Sequence, residues 1–193
     1  MTESPLVPAA RAWVMEKYPY NSEHLIRSLE WLDRIAPGSR EAVRIATLTH
    51  DMERAFPGPD QPVARAIDDP GYNRAHSERS ARIVAAWLRE AGADDELVRD
   101  VDALIRVHED GGWPEANLVQ AADSLSFLDT NVDLFLGFVR SGRFSAEEVR
   151  GKFKHSVDRI RLPEWRTLAA PLLEEAEVKL DALTATLPAP EID

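Results

Sequence analysis

The chain contains no cysteine. That absence excludes a disulfide framework, a thiolate metal site and a cysteine nucleophile together, so any metal must be held by imidazole and carboxylate. Long apolar runs are missing too, and no stretch approaches the roughly 18 uninterrupted apolar residues of a membrane span. The opening segment, MTESPLVPAARAWVMEKYPY, has no basic stretch followed by an apolar one. Neither an export signal nor a membrane anchor is therefore expected, and the chain reads as cytoplasmic. Positive charge is also short: 23 basic against 34 acidic residues leave a net charge of -11. This opposes long-range attraction to nucleic acid or to an anionic membrane surface, while leaving room for a small phosphorylated ligand in a metal pocket. Finally, runs of alternating β-branched residues, the usual mark of strands, are lacking.

What is present is helical patterning. Apolar residues recur at three- and four-residue steps nearly everywhere, which predicts an all-α fold. With 193 residues, 44% of them hydrophobic and 30% charged, one domain covering residues 1–193 is expected, with a motif-bearing core over about 20–130 and C-terminal helices over about 145–187 packed on it.

A first helix is expected over about residues 8–17. A second opens near Asn21 or Ser22 and carries Leu25, Leu29 and Leu32 on one face before Pro37-Gly38 ends it. Ser39 can cap a third, which delivers His50 and Asp51 near its C-terminal end. The segment Pro57 to Gly71 carries four prolines and two glycines, too many breakers for a helix, and reads as a long loop that is either a substrate wall or a surface excursion. A fourth helix is expected from Tyr72 or Asn73 to Ala91. A fifth runs from Asp94-Asp95 to His108, and a sixth opens at Pro114, includes Asp123 and either continues or bends through about Arg140. Ser145 and Pro163 open two more, the last reaching about Leu187 before a frayed tail, PAPEID.

Only five histidines occur. Four of them, His24, His50, His76 and His108, fall at or near expected helix ends, in order with Asp51 and Asp123. The steps of 26, 26 and 32 residues between successive histidines each correspond to about one helix, a turn and part of the next. In an antiparallel bundle such steps return side chains to one internal pocket. Imidazole with carboxylate suits Fe, Mn, Zn, Co or Ni, and two metals sharing the Asp51 carboxylate would account for all six groups.

The order H…HD…H…H…D resembles that of the HD superfamily of metal-dependent phosphohydrolases. AVRIATLTHDMER is similar to the family's small-apolar run into its HD pair, and IRVHED followed by LVQAADSLSFLD is similar to its late histidine and terminal aspartate helices. The resemblance covers roughly residues 20–130. It implies that His24, His50, Asp51 and Asp123 are the ligands of a one-metal core, that Asp51 bridges, and that His76 and His108 hold a second divalent metal. The chain departs from the family's HDxxK text by placing Arg54 at the lysine position, which keeps the charge and changes its geometry.

The implied reaction is hydrolysis of a nucleotide or other phosphoester. A bound cation makes hydroxide available near neutral pH and offsets charge on the phosphoryl oxygens. Asp51, or else Glu109 or Asp110, is the candidate to help with the proton. Arg54 would contact phosphate, as would Arg27, Arg79 and the basic cluster of Lys152, Lys154 and His155. Arg27 and Arg79 each lie three residues after a ligand. Trp113 could flank the pocket.

Two alternatives remain open. One is a mixed-valent diiron oxygenase acting on an organophosphonate or polyol, for which Tyr20 and Glu23 offer the residue types but a poor spacing. The other is a non-catalytic metal-binding or ligand-sensing module. The expected partner is a small phosphorylated molecule, with neither nucleic acid polymer nor membrane, and a homodimer is left open.

Overall fold

Local end signals set most of the helix boundaries. Asp69 accepts hydrogen bonds from the backbone N–H groups of Gly71 and Tyr72, and Pro70 occupies the first helical position, so a helix starts there and not two residues later. Asp94 caps the next through Leu97 N–H at 2.8 Å. Ser145 and Glu148 form a reciprocal capping box. Ser39 does not cap: its hydroxyl closes the turn after the second helix by donating to Ala36 O at 2.7 Å, and the third helix opens after Arg40.

The structure, a computed structural model, describes residues 5–64 and 66–187; the PAPEID tail lies outside the described residues. Among the described residues there are nine α-helices and no strand. They are α1 (Leu6–Lys17), α2 (Ser22–Ile35), α3 (Glu41–Thr49), α4 (Pro70–Glu90), α5 (Asp95–Arg106), α6 (Pro114–Thr130), α7 (Val132–Arg140), α8 (Ala146–Asp158) and α9 (Pro163–Thr184), with a 3-10 turn over Met52–Ala55. The expected all-α fold is what forms. Of the two courses left open for the segment from Pro114 to Arg140, the chain takes the second: it breaks at Asn131, which ends α6 and precedes α7. Asparagine competes for backbone hydrogen bonds and is a weak helix former, so the chain turns there.

The helix α3 explains where the site lies. Of its nine residues only Glu41 and Arg44 escape full burial, and it packs against α1, α2, α5 and α6. A helix apolar nearly all round is driven into the centre of a bundle. It therefore ends with His50 and Asp51 inside the core and not at its rim. Around it, α2 lies along α6, and α4 lies along α5. The inward faces follow the helical period: Val7, Ala10 and Val14 on α1, and Val98, Val101, Leu104 and Ile105 on α5. The buried apolar residues form one continuous cluster from Val7 to Leu180. Among the described residues, no helix is long and apolar enough to cross a membrane.

Candidate metal centre

Five elements deliver six polar side chains to one point. His24 comes from the first turn of α2, His50 from the residue ending α3, and Asp51 from the next position. His76 lies in the second turn of α4, His108 in the turn after α5, and Asp123 in the middle of α6. All six are buried, none more than 6% exposed. The turn behind His108 requires glycine: Gly111 has φ +67°, and a Cβ there would collide with Asn117 Oδ1, which instead accepts a hydrogen bond from Gly112 N–H at 2.8 Å.

The distances are those of atoms converging on shared points. His24 Nε2 and His50 Nε2 lie 3.2 and 3.4 Å from Asp123 Oδ1. Asp51 Oδ1 lies 3.0 Å from His76 Nε2, 3.9 Å from His50 Nε2 and 4.0 Å from His108 Nε2, which places it between the two sets of histidines. Donor atoms each about 2.1 Å from one ion are separated by about 3.0–3.4 Å at octahedral or tetrahedral angles.

The other nitrogen of each ring decides what these Nε2 atoms can do. His50 Nδ1 is 2.9 Å from Thr47 O, and His108 Nδ1 is 2.8 Å from Ile105 O. His76 Nδ1 is 3.2 Å from Glu53 Oε1. Carbonyl and carboxylate oxygens only accept, so these three Nδ1 atoms carry hydrogen. His24 Nδ1 meets Ser126 Oγ at 3.1 Å, but that hydroxyl already donates to His24 O at 2.7 Å. It therefore accepts from Nδ1. All four rings are held by Nδ1–H with Nε2 turned toward Asp51 or Asp123, the arrangement of metal-binding imidazole. The Nε2 atoms of His76 and His108 have no hydrogen-bond partner despite full burial; the approach of His76 to Asp51 is close but lacks hydrogen-bond alignment. An unpartnered buried polar atom is costly, and a cation between these atoms removes the cost. The donor set therefore fits a divalent transition metal, and geometrically it fits two.

Two arginines orient the aspartates. Arg54 pairs with Asp51 Oδ2, and Arg159 donates to Asp123 Oδ2 at 2.5 Å, so in each carboxylate Oδ1 is the atom left for the histidines. Burial raises both carboxyl pKa values, but Arg54 and His50 hold Asp51 well below the usual range, and Arg159 and His50 do the same for Asp123. Burial pushes His50 down, yet the Asp123 and Asp51 carboxylates carry it up to about 9. In His108 burial wins, helped by the nearby His50, and lowers it to about 4.

The centre opens on one side into a cavity of about 460 Å³. Its lining holds four carboxylates (Asp51, Asp68, Glu109, Asp123) and four cationic side chains (Arg54, Arg143, Lys152, Arg159). Among the described residues the wall is thus electrically balanced, and each divalent cation added makes it cationic. Phe127, Phe135, Phe138 and Phe144 form an edge-to-face aromatic wall, with the Arg143 guanidinium 4.6 Å over Phe138.

A family model described as "Domain of unknown function (DUF4202)" matches residues 6–162. The chain belongs to the DUF4202 family. No curated protein and no solved structure matches it. The DUF4202 match ends at Leu162, so the six converging residues and Arg159 fall inside it, while α9 falls outside.

The fold brings some of the expected residues of this DUF4202 chain together and sends others elsewhere. Arg54 lies beside Asp51 in the cavity wall. Arg79 is buried, but it donates to Glu53 O, Glu53 Oε2, Phe56 O and Asp60 Oδ1, tying the 3-10 turn to the proline-rich loop. Arg27 pairs at the surface with Glu30 and Asp129. Lys154 is exposed and pairs with Asp158, whereas Lys152 reaches the cavity and pairs with Asp68 at 2.6 Å. None of Arg27, Arg79 and Lys154 lines the cavity. His155 opens with Asp110 onto a groove that adjoins the cavity, the two sharing Asp68, Glu109 and Arg159. The proline-rich loop does furnish cavity wall, through Gln61, Ala64, Ala66, Ile67 and Asp68; Trp113 does not. Sequence reasoning missed Glu53, Ser126 and Arg159, which act on His76, His24 and Asp123 respectively. The spacing of Glu53 three residues after His50 was the one readable signal.

Proposed function

We propose that this DUF4202 chain is a metal-dependent phosphohydrolase of the HD type, acting on a small phosphorylated substrate. The observation that carries the reading is the set of four buried imidazoles, each with Nδ1 tied to protein and Nε2 turned toward Asp51 or Asp123. One divalent cation would be held by His24, His50 and Asp123, a second by His76 and His108, with Asp51 between them. Fe or Mn suits this nitrogen and oxygen set, and Zn, Co or Ni is compatible with it. When bound, such ions supply an acidified water and positive charge for the phosphoryl oxygens.

The chain's own residues favour an anionic substrate. Among the described residues the wall's charges balance before any cation is added, so a loaded site attracts anions. Arg54, with a side chain 30% exposed, presents its guanidinium to the cavity while holding Asp51 ionised. Lys152 adds a second charge from α8. The aromatic wall gives the organic part of a phosphoester an apolar surface and limits water there.

Chelator-stripped protein is expected to lose phosphoesterase activity and to regain it with Mn(II) or Fe(II). His50→Ala and Asp51→Ala are each expected to abolish both metal content and turnover. Full activity in either variant would sink the reading. Two irons per chain with oxygen consumption and no phosphoesterase activity would replace hydrolysis by oxidation.

A further inference from the structure

We infer that Glu109 is an additional metal ligand, completing the position of His76 and His108, and that Arg159 positions Glu109 together with Asp123. The inference rests on the two-metal reading above and extends it to residues outside the six-ligand set.

Those six ligands are shared unevenly. His24, His50 and Asp123 supply three groups to one position, whereas His76 and His108 supply two to the other, with Asp51 common to both. Glu109 corrects the imbalance: one of its carboxylate oxygens and a ring nitrogen from each of His76 and His108 all lie within 4.8 Å of one another. Glu109 Oε1 is 3.8 Å from His108 Nε2. Moreover, His76 and His108 are the two histidines whose Nε2 atoms have no hydrogen-bond partner. The unpartnered nitrogens thus fall at the position that lacks a carboxylate of its own.

Arg159 makes the arrangement rigid. Its Nη1 takes Glu109 Oε2, its Nη2 takes Asp123 Oδ2 at 2.5 Å, and its Nε donates to Ser124 Oγ at 2.8 Å. One guanidinium therefore occupies one oxygen of each carboxylate and leaves the other, Oε1 of Glu109 and Oδ1 of Asp123, to face the histidines. A planar fork with fixed donor directions does this, and a lysine ammonium cannot reproduce it. Gln120 Nε2 reinforces the link by donating to Arg159 O at 2.6 Å and to Glu109 O at 3.4 Å. The end of α8 is therefore a structural part of the metal centre, joining its two positions.

The test is a titration of the metal-free full-length protein with Co(II), followed by calorimetry and by visible absorption. The wild type is expected to bind two equivalents. Glu109→Gln should weaken the second by at least the roughly tenfold to hundredfold that loss of a partner behind a ligand costs, and leave the first unchanged. Glu109→Asp, which keeps the charge beside Arg159 but draws the carboxylate back from His108, should do the same even if the glutamine variant folds poorly. Arg159→Lys should weaken both equivalents and change the Co(II) absorption, whereas a purely structural role would lower the melting temperature alone. Two equivalents at wild-type affinity in both Glu109 variants overturn the ligand assignment, and unchanged binding in Arg159→Lys overturns the positioning role. A single equivalent in the wild type overturns the two-metal reading and this inference together.

Discussion

Replacing Glu53 by glutamine removes a charge that lies outside the cavity wall yet touches the candidate metal centre through His76. Glu53 Oε1 is 3.2 Å from His76 Nδ1, and Oε2 accepts from Arg79 Nη1 at 3.2 Å. A carboxamide has one accepting oxygen, so in Glu53→Gln an NH2 group must face one of those two donors. Losing a hydrogen bond to a buried charge costs about 1.5–3 kcal/mol. Arg79 keeps Asp60 and two backbone carbonyls, so the loss should stay near about 2 kcal/mol and below the about 3–5 kcal/mol of a buried charge stripped of its partner. For a chain of this size that lowers the melting temperature by about 4–8 °C. The carboxylate also raises the basicity of His76, and its removal should weaken binding at that position roughly tenfold to a hundredfold. Thermal melts of the stripped protein give the first quantity, and Mn(II) titration gives the second. A variant that melts lower but binds Mn(II) as the wild type does would refute the proposed coupling and reduce Glu53 to a packing role.

Other substitutions separate the remaining contributions. Ser126→Ala leaves His24 Nδ1–H buried without its acceptor, which should cost about 1–3 kcal/mol and weaken the His24 position selectively, as read by melting and Co(II) titration. Ser145→Ala should cost about 1 kcal/mol of stability through the cap of α8, with metal stoichiometry unchanged. In the same box, the Ser145 backbone N–H and then its hydroxyl hold the Glu148 carboxyl below its ordinary value. Its contribution is thus fully present above an unfolded pKa of about 4.3 and is lost as pH falls through the lower folded value. The melting-temperature gap between wild type and Glu148→Gln should accordingly close on acidification, and a gap that persists at low pH would contradict the cap geometry. Arg27→Ala, which removes only exposed pairs, should change stability by less than about 1 kcal/mol and leave metal binding intact; a loss of metal would return Arg27 to the site.

The split between Lys152 and Lys154 illustrates what a sequence pattern resolves. Both belong to one basic cluster, but Val149, Phe153 and Ser156 turn inward on α8. Lys152 lies at the edge of that face, and Lys154 lies two steps of about 100° further round. Three-residue spacing alone suggests that Arg27 lies beside His24 and Arg79 beside His76. That spacing shares a face only loosely, and long side chains follow the nearest carboxylate: Glu30 and Asp129 for Arg27, Glu53 and Asp60 for Arg79.

By itself the sequence determined the all-helical architecture, most helix ends and the candidate ligand residues, because helical period, capping chemistry and residue type are local properties. For His50, His108 and Asp51 the orienting partner is local, three residues away, whereas tertiary structure alone decided which nitrogen of His24 and His76 faces the aspartates and which oxygen of Asp123 remains available. It also decided which cations reach the site. Those choices depend on Ser126, 102 residues from His24, on Glu53, 23 residues from His76, and on Arg159, 36 residues from Asp123. Separations of that size carry no periodic signal, and only the packing of α2, α4 and the end of α8 around the centre brings the partners within hydrogen-bond reach.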